Sequence, residues 1–166
     1  MQTLDEIEWL KQKYCYLELN ESKLINIYRF LLVWNTFENK LCNNNAEISK
    51  SKDILRDCKF SDKINTLNKE IFNYFKNRYV ENGEMNGVFD SFEFKVENIK
   101  SETKVILLDD NSQEKELALL YIAFRLRKNL VHGEKNVETL YNKNESFKQI
   151  NIFLINLIDS YQKDLK

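Results

Sequence analysis

The chain has no proline and only three glycines in 166 residues, at positions 83, 87 and 133. Proline and glycine are the residues that end helices, so almost nothing here interrupts one. A sequence 43% hydrophobic and 13% aromatic can also bury a sizeable core. An all-α bundle follows, in one domain spanning residues 1–166.

Apolar periodicity of the i, i+3/i+4, i+7 kind marks about five helices. Leu4, Ile7, Leu10, Tyr14 and Leu17 outline the first. The second runs from about Ser22 to Leu41, with Leu24, Ile27, Leu31 and Trp34 as its stripe and Phe30, Val33 and Phe37 widening it; it is expected to be the most buried. A weakly helical stretch, Ser49 to Cys58, follows the break at Asn43, Asn44 and Asn45. Ser61 is a good N-cap for the third helix, which carries Ile64, Leu67, Ile71, Tyr74 and Tyr79. The fourth begins after Ser112 and packs through Leu117, Leu120, Tyr121 and Phe124, with Gly133 placed to end it. The fifth starts near Asn144 and carries Phe147, Ile150, Phe153, Leu154, Leu157, Ile158 and Tyr161. Between the third and fourth, Glu81 to Asn111 reads as a loop with room for a small β-hairpin, since Phe92, Phe94 and Val96 alternate with charged residues.

Several functional classes are disfavoured. Formal net charge is −1, so any anion site must be local rather than a generally basic surface. One histidine and scattered cysteines leave only carboxylates as metal ligands, and three dispersed glycines cannot build a phosphate-cradling loop. No metal or cofactor is expected. Cys15, Cys42 and Cys58 are odd in number and widely spaced, which fits reduced thiols in a cytoplasm. Neither a secretory signal nor a membrane span is expected.

The chemistry concentrates around that one histidine, His132, in the run Arg125-Leu126-Arg127-Lys128-Asn129-Leu130-Val131-His132-Gly133. Arg125, Asn129 and His132 are spaced i, i+4, i+7 and share a helix face, whereas Arg127 points away by more than a quarter turn. Both arginines remain candidates. The basic cluster Arg125, Arg127, Lys128 and Lys135 stands against Glu134 alone.

This run resembles the signature of the HEPN superfamily, an arginine and a histidine near a helix end with four to six residues between them. Arg127 meets the shorter spacing and Arg125 the longer. The stretch from Arg29 to Glu38, with Trp34 and Phe37-Glu38, also looks like an early helix of bacterial members. The resemblance implies a HEPN-like helical bundle, dimeric through the motif helix, in which the motifs of two copies meet in a cleft. It implies a metal-independent endoribonuclease, of toxin or anti-phage defence type, with RNA as substrate and an antitoxin protein as a possible partner. The roles it implies are His132 as general acid or base, Arg127 as transition-state stabiliser, Arg125 as phosphate clamp or second stabiliser, Asn129 as an orienting group, and Lys128 and Lys135 as RNA contacts. An imidazole near pKa 6.5 exchanges protons at neutral pH, and a guanidinium fork matches phosphate oxygens. Two positions depart from the pattern. Lys128 stands directly after the arginine where members often carry Asn, Asp or His, and Glu134 stands where one toxin branch has a tyrosine that its partner modifies.

Other roles compete for the same residues. A histidine and arginines in a last helical turn also complement the helix dipole. Glu38 is either a partly buried partner of a motif arginine or a boundary residue, and Trp9 and Trp34 suit core or interface packing. A non-catalytic module that binds RNA or protein is the alternative to an enzyme, and a purely structural subunit of a larger assembly is a third reading.

Overall fold

The computed structural model describes residues 8–9, 11–12, 21–91, 97–131 and 140–162. Within them lie seven α-helices: α1 (Glu21–Cys42), α2 (Ser51–Arg56), α3 (Asp62–Tyr79), α4 (Gly87–Asp90), α5 (Glu97–Leu108), α6 (Lys115–Val131) and α7 (Asn144–Ser160). A 3-10 turn, Ile48–Lys50, leads into α2. The only sheet among these residues is the antiparallel pair β1 (Val80–Glu81) and β2 (Glu84–Met85). The chain is mainly helical, as the scarcity of proline and glycine demands.

Local chemistry sets the ends of these elements. α1 stops at Asn43 and Asn44, both left-handed at φ 50° and 62°, and Asn44 N reaches back to Glu38 O at 2.9 Å. The Ser61 side chain caps α3 by accepting from Ile64 N, as its position in the sequence predicts. Asn82-Gly83 makes the tight turn between the two strands, with φ 53° and 79°, which is why the pair closes there. Asn86 then caps α4 by accepting from Val88 N and Phe89 N while donating to Arg78 O.

α6 forms the centre. Leu117 to Ala123 are seven consecutive buried residues, so this helix is apolar on every side and must be surrounded by others. α5 doubles back along it after a short turn and holds it through Tyr121 Oη donating to Glu102 Oε2 at 2.8 Å. α3 crosses to α7 in the opposite sense, with Asn156 Nδ2 donating to Asn68 Oδ1 and Tyr74 Oη hydrogen-bonded to Ser146 Oγ. α1 and α7 run side by side in the same direction, pinned where Asn151 Nδ2 donates to the Asn26 carbonyl at 2.8 Å. Aromatic rings from four helices fill the space between: Phe30, Trp34 and Phe37 of α1, Phe75 of α3, Phe124 of α6 and Phe147 of α7.

Four sequence expectations need correction. α6, not the helix after Ser22, is the most enclosed. Leu31 is 46% exposed and does not belong to the α1 core stripe. The segment after Glu81 is no long loop: it holds a hairpin earlier than expected, a helical turn, and the 12-residue helix α5, which turns Val105 to solvent and Ile106 and Leu107 to the core. The described helices number more than the five expected because the stretch from Glu81 to Leu108 and the weak stretch before Cys58 contribute extra ones. The stripe from Leu4 to Leu17 lies mostly outside the described residues, as do Phe92, Phe94 and Val96.

Candidate functional site

The last two turns of α6 present Arg125, Arg127, Lys128 and Asn129 to different surroundings. Arg125 and Asn129, one turn apart, face inward and are each 3% exposed. A guanidinium so enclosed acts on its protein neighbours, and an external phosphate reaches it only if the surrounding structure opens. Both amide atoms of Asn129 are buried with no hydrogen-bond partner among the described residues.

Arg127 lies on another side of the helix. Its guanidinium carbon sits 5.9 Å from the centroid of the Trp34 ring, and the side chain is half-buried. The indole is itself 5% exposed and fixed by Phe124 edge-on at 5.1 Å and Phe37 at 5.2 Å. The arginine therefore rests on a rigid aromatic floor, with a cation–π attraction in place of a carboxylate. No ion pair engages Arg127 within the described residues. A guanidinium whose donors are not consumed by an internal carboxylate keeps them for an external anion. Lys128, the next residue, is half-buried.

Glu38 makes no ion pair with Arg125 or Arg127 among the described residues. It sits one turn beyond Trp34, and its Oε1 accepts from Ala46 N at 3.4 Å, closing the turn after α1. His132, Gly133, Glu134 and Lys135 lie outside the described residues, so the structure carries the motif as far as Val131. Trp34 is the residue whose part the sequence understated. Its aromatic spacing identifies it as core, and it is core, but its face also supports Arg127.

Elsewhere a polar group is built around Glu102. Burial pushes its carboxyl up, but hydrogen bonds from Lys52 at 2.5 Å and Tyr121 at 2.8 Å, with the lysine charge, outweigh this and hold it below its ordinary value. Burial and the adjacent carboxylate together keep the Tyr121 phenol protonated. This group ties α2, α5 and α6 together. The described cysteines are free thiols: burial, with Glu38 nearby, pushes Cys42 up to about 11, and burial with Asp57 pushes Cys58 up to about 12. No cluster of metal-ligating side chains occurs within the described residues. No helix there is long and apolar enough to cross a membrane.

No protein-family model matches this chain, and neither the curated proteins nor the solved structures provide a match. The reading of function therefore rests on the residues themselves.

Proposed function

We propose that the chain is a metal-independent endoribonuclease of the HEPN type, acting as a toxin or in anti-phage defence, with its site at the end of α6. The observation that carries this reading is Arg127. The residue is half-buried, its guanidinium is seated on the Trp34 ring, and it is engaged in no ion pair within the described residues. In the proposed reaction a ribose 2′-hydroxyl attacks the adjacent phosphorus and the 5′-oxygen leaves, giving a 2′,3′-cyclic phosphate and a 5′-hydroxyl end. His132 transfers a proton as general acid or base, and Arg127 donates to the phosphorane oxygens as charge builds on them. Lys128 and Lys135 supply charge for the RNA backbone.

Burial favours a different assignment for the other two residues. Arg125 and Asn129 act from inside, positioning the end of α6 rather than touching RNA. The same burial supports a second reading, a non-catalytic RNA- or protein-binding module, because two of the four residues assigned to catalysis are enclosed.

Arg127→Lys separates the readings, since it keeps the charge and removes the fork. Cleavage of RNA is expected to fall by about 10²- to 10³-fold, with RNA affinity changed only a few-fold. Unchanged cleavage in this variant refutes the role given to Arg127. Binding without cleavage in the wild type selects the module.

A further inference from the structure

Two of the three glycines directly follow an asparagine, in Asn82-Gly83 and Asn86-Gly87. Asparagine is thermally labile, and this dipeptide is the sequence most open to loss of its side-chain ammonia, because a following residue without a Cβ leaves its backbone nitrogen free to reach the amide carbon. The fold treats the two pairs differently. A Cβ at either glycine would meet nothing within 4 Å, so the surrounding structure crowds neither nitrogen. What separates the pairs is the asparagine amide.

Asn86 is locked. Its Oδ1 accepts from Val88 N at 3.1 Å and from Phe89 N at 3.2 Å, and its Nδ2 donates to Arg78 O at 2.9 Å. Its backbone N donates to Tyr79 O at 2.8 Å, which closes the neck of the hairpin between α3 and α4. Attack on this amide would give up all three side-chain bonds and with them the cap of α4. Asn82 stands at the tip instead. It is exposed, as are Glu81, Gly83 and Glu84, and no hydrogen bond engages its amide among the described residues. The ladder that holds the tip pairs Val80 with Met85 and Glu81 with Glu84, and a ladder this short opens locally at small cost. Glu81 and Glu84 also set two carboxylates opposite each other, which weakens the closed turn further.

We propose that Asn82 is a site of spontaneous deamidation in the native protein, and that Asn86, in the same dipeptide, is protected by its capping bonds. As the turn opens, the Gly83 backbone nitrogen attacks Asn82 Cγ and gives up its proton. The new N–Cγ bond closes a succinimide ring while the Cγ–Nδ2 bond breaks, and ammonia leaves with that proton. Water, the one co-reactant, then opens the ring. Addition at Cγ gives aspartate at position 82; addition at the backbone carbonyl gives isoaspartate, whose main chain runs through Cβ and Cγ. Either product places a further carboxylate beside Glu81 and Glu84. Isoaspartate also lengthens the main chain by a methylene, so the two-residue turn no longer fits the pairing of Glu81 with Glu84. The tip thereby passes irreversibly from a closed turn to an open, more acidic one, while Tyr79 and Asn86 keep the neck. This chemistry is independent of the reaction proposed for α6.

Peptide mapping by mass spectrometry tests the proposal on the full chain, aged in mildly alkaline buffer at physiological temperature beside a sample held unfolded in urea. In the native chain aspartate and isoaspartate are expected at position 82, accumulating at least about tenfold faster than any product at position 86, where three hydrogen bonds must first be lost. In urea the two sites are expected to react within a few-fold of each other, because the dipeptide is the same. An Asn82 amide that survives in the native chain while reacting in urea overturns the proposal. So does a native ratio below tenfold, or an Asn86 that stays equally protected in urea, where its cap is gone.

Discussion

Asn129 offers a test in which stability and function move in opposite directions. Its side chain is 3% exposed and neither amide atom has a hydrogen-bond partner among the described residues. An unsatisfied buried polar group costs about 1–3 kcal/mol. Leucine has a similar volume, removes that cost, gains helix propensity of a few tenths of a kcal/mol, and loses up to about 1.5 kcal/mol to imperfect fit. Asn129→Leu is therefore expected to stabilise the fold by about 1–2 kcal/mol. With urea slopes of about 1–3 kcal/mol per molar, the denaturation midpoint should rise by roughly 0.3–2 M at unchanged slope. The melting temperature should rise by about 2–8 °C, at the roughly 2–4 °C per kcal/mol expected for chains of this size. If Asn129 orients the end of α6 for chemistry, RNA cleavage should fall in the same variant. A destabilised Asn129→Leu protein would show that the amide is satisfied in the native state and refute the reasoning. A stabilised protein with full cleavage would remove Asn129 from the site.

Two further outcomes follow from the titrating groups. The Glu102 carboxyl is held below its ordinary value, so its ion pair and hydrogen bond stabilise the fold above the unfolded carboxylate pKa of about 4.3 and are lost as pH falls through the lower folded value. Glu102→Gln should accordingly flatten the acid limb of a stability–pH curve below about pH 4.3; an unaltered limb would count against the Lys52–Glu102–Tyr121 group. With Cys15 replaced by serine, Cys42 and Cys58 should react with a maleimide at pH 8 at least about a hundredfold more slowly in the native protein than in urea, given their raised pKa values of about 11 and 12. Equal rates would contradict their burial.

Much of the fold was legible because helix periodicity and caps act locally. Ser61, the Asn43-Asn44 break and the start near Asn144 stand where the sequence indicates. α5 was not legible: Val105 to Leu108 reads as a short apolar run, and a run of that length is compatible with strand or helix until a neighbour selects one. The hairpin had a stronger local signal than the alternation at Phe92 to Val96, namely Asn82-Gly83, the preferred pair for a two-residue turn. The prominence given to the helix after Ser22 arose because its aromatic stripe suggests deep burial. α1 is nevertheless apolar on a solvent face as well, with Ile25 and Leu32 exposed, and periodicity cannot distinguish such a face from one in the core. At the site, spacing separated Arg127 from the Arg125–Asn129 face. Only the tertiary structure reveals that the latter is enclosed and that Trp34 lies beneath Arg127.

The central claim is that the end of α6 catalyses phosphoryl transfer within RNA, and the chemistry of the product ends tests it most directly. Purified wild-type and His132→Ala proteins would be incubated with total RNA in EDTA, and the 3′ ends of the fragments assayed for 2′,3′-cyclic phosphate. The account predicts cyclic phosphate ends with the wild type, and their loss in His132→Ala with helicity unchanged. Equal cleavage by the two proteins, or wild-type fragments bearing 3′-hydroxyl ends, would contradict it.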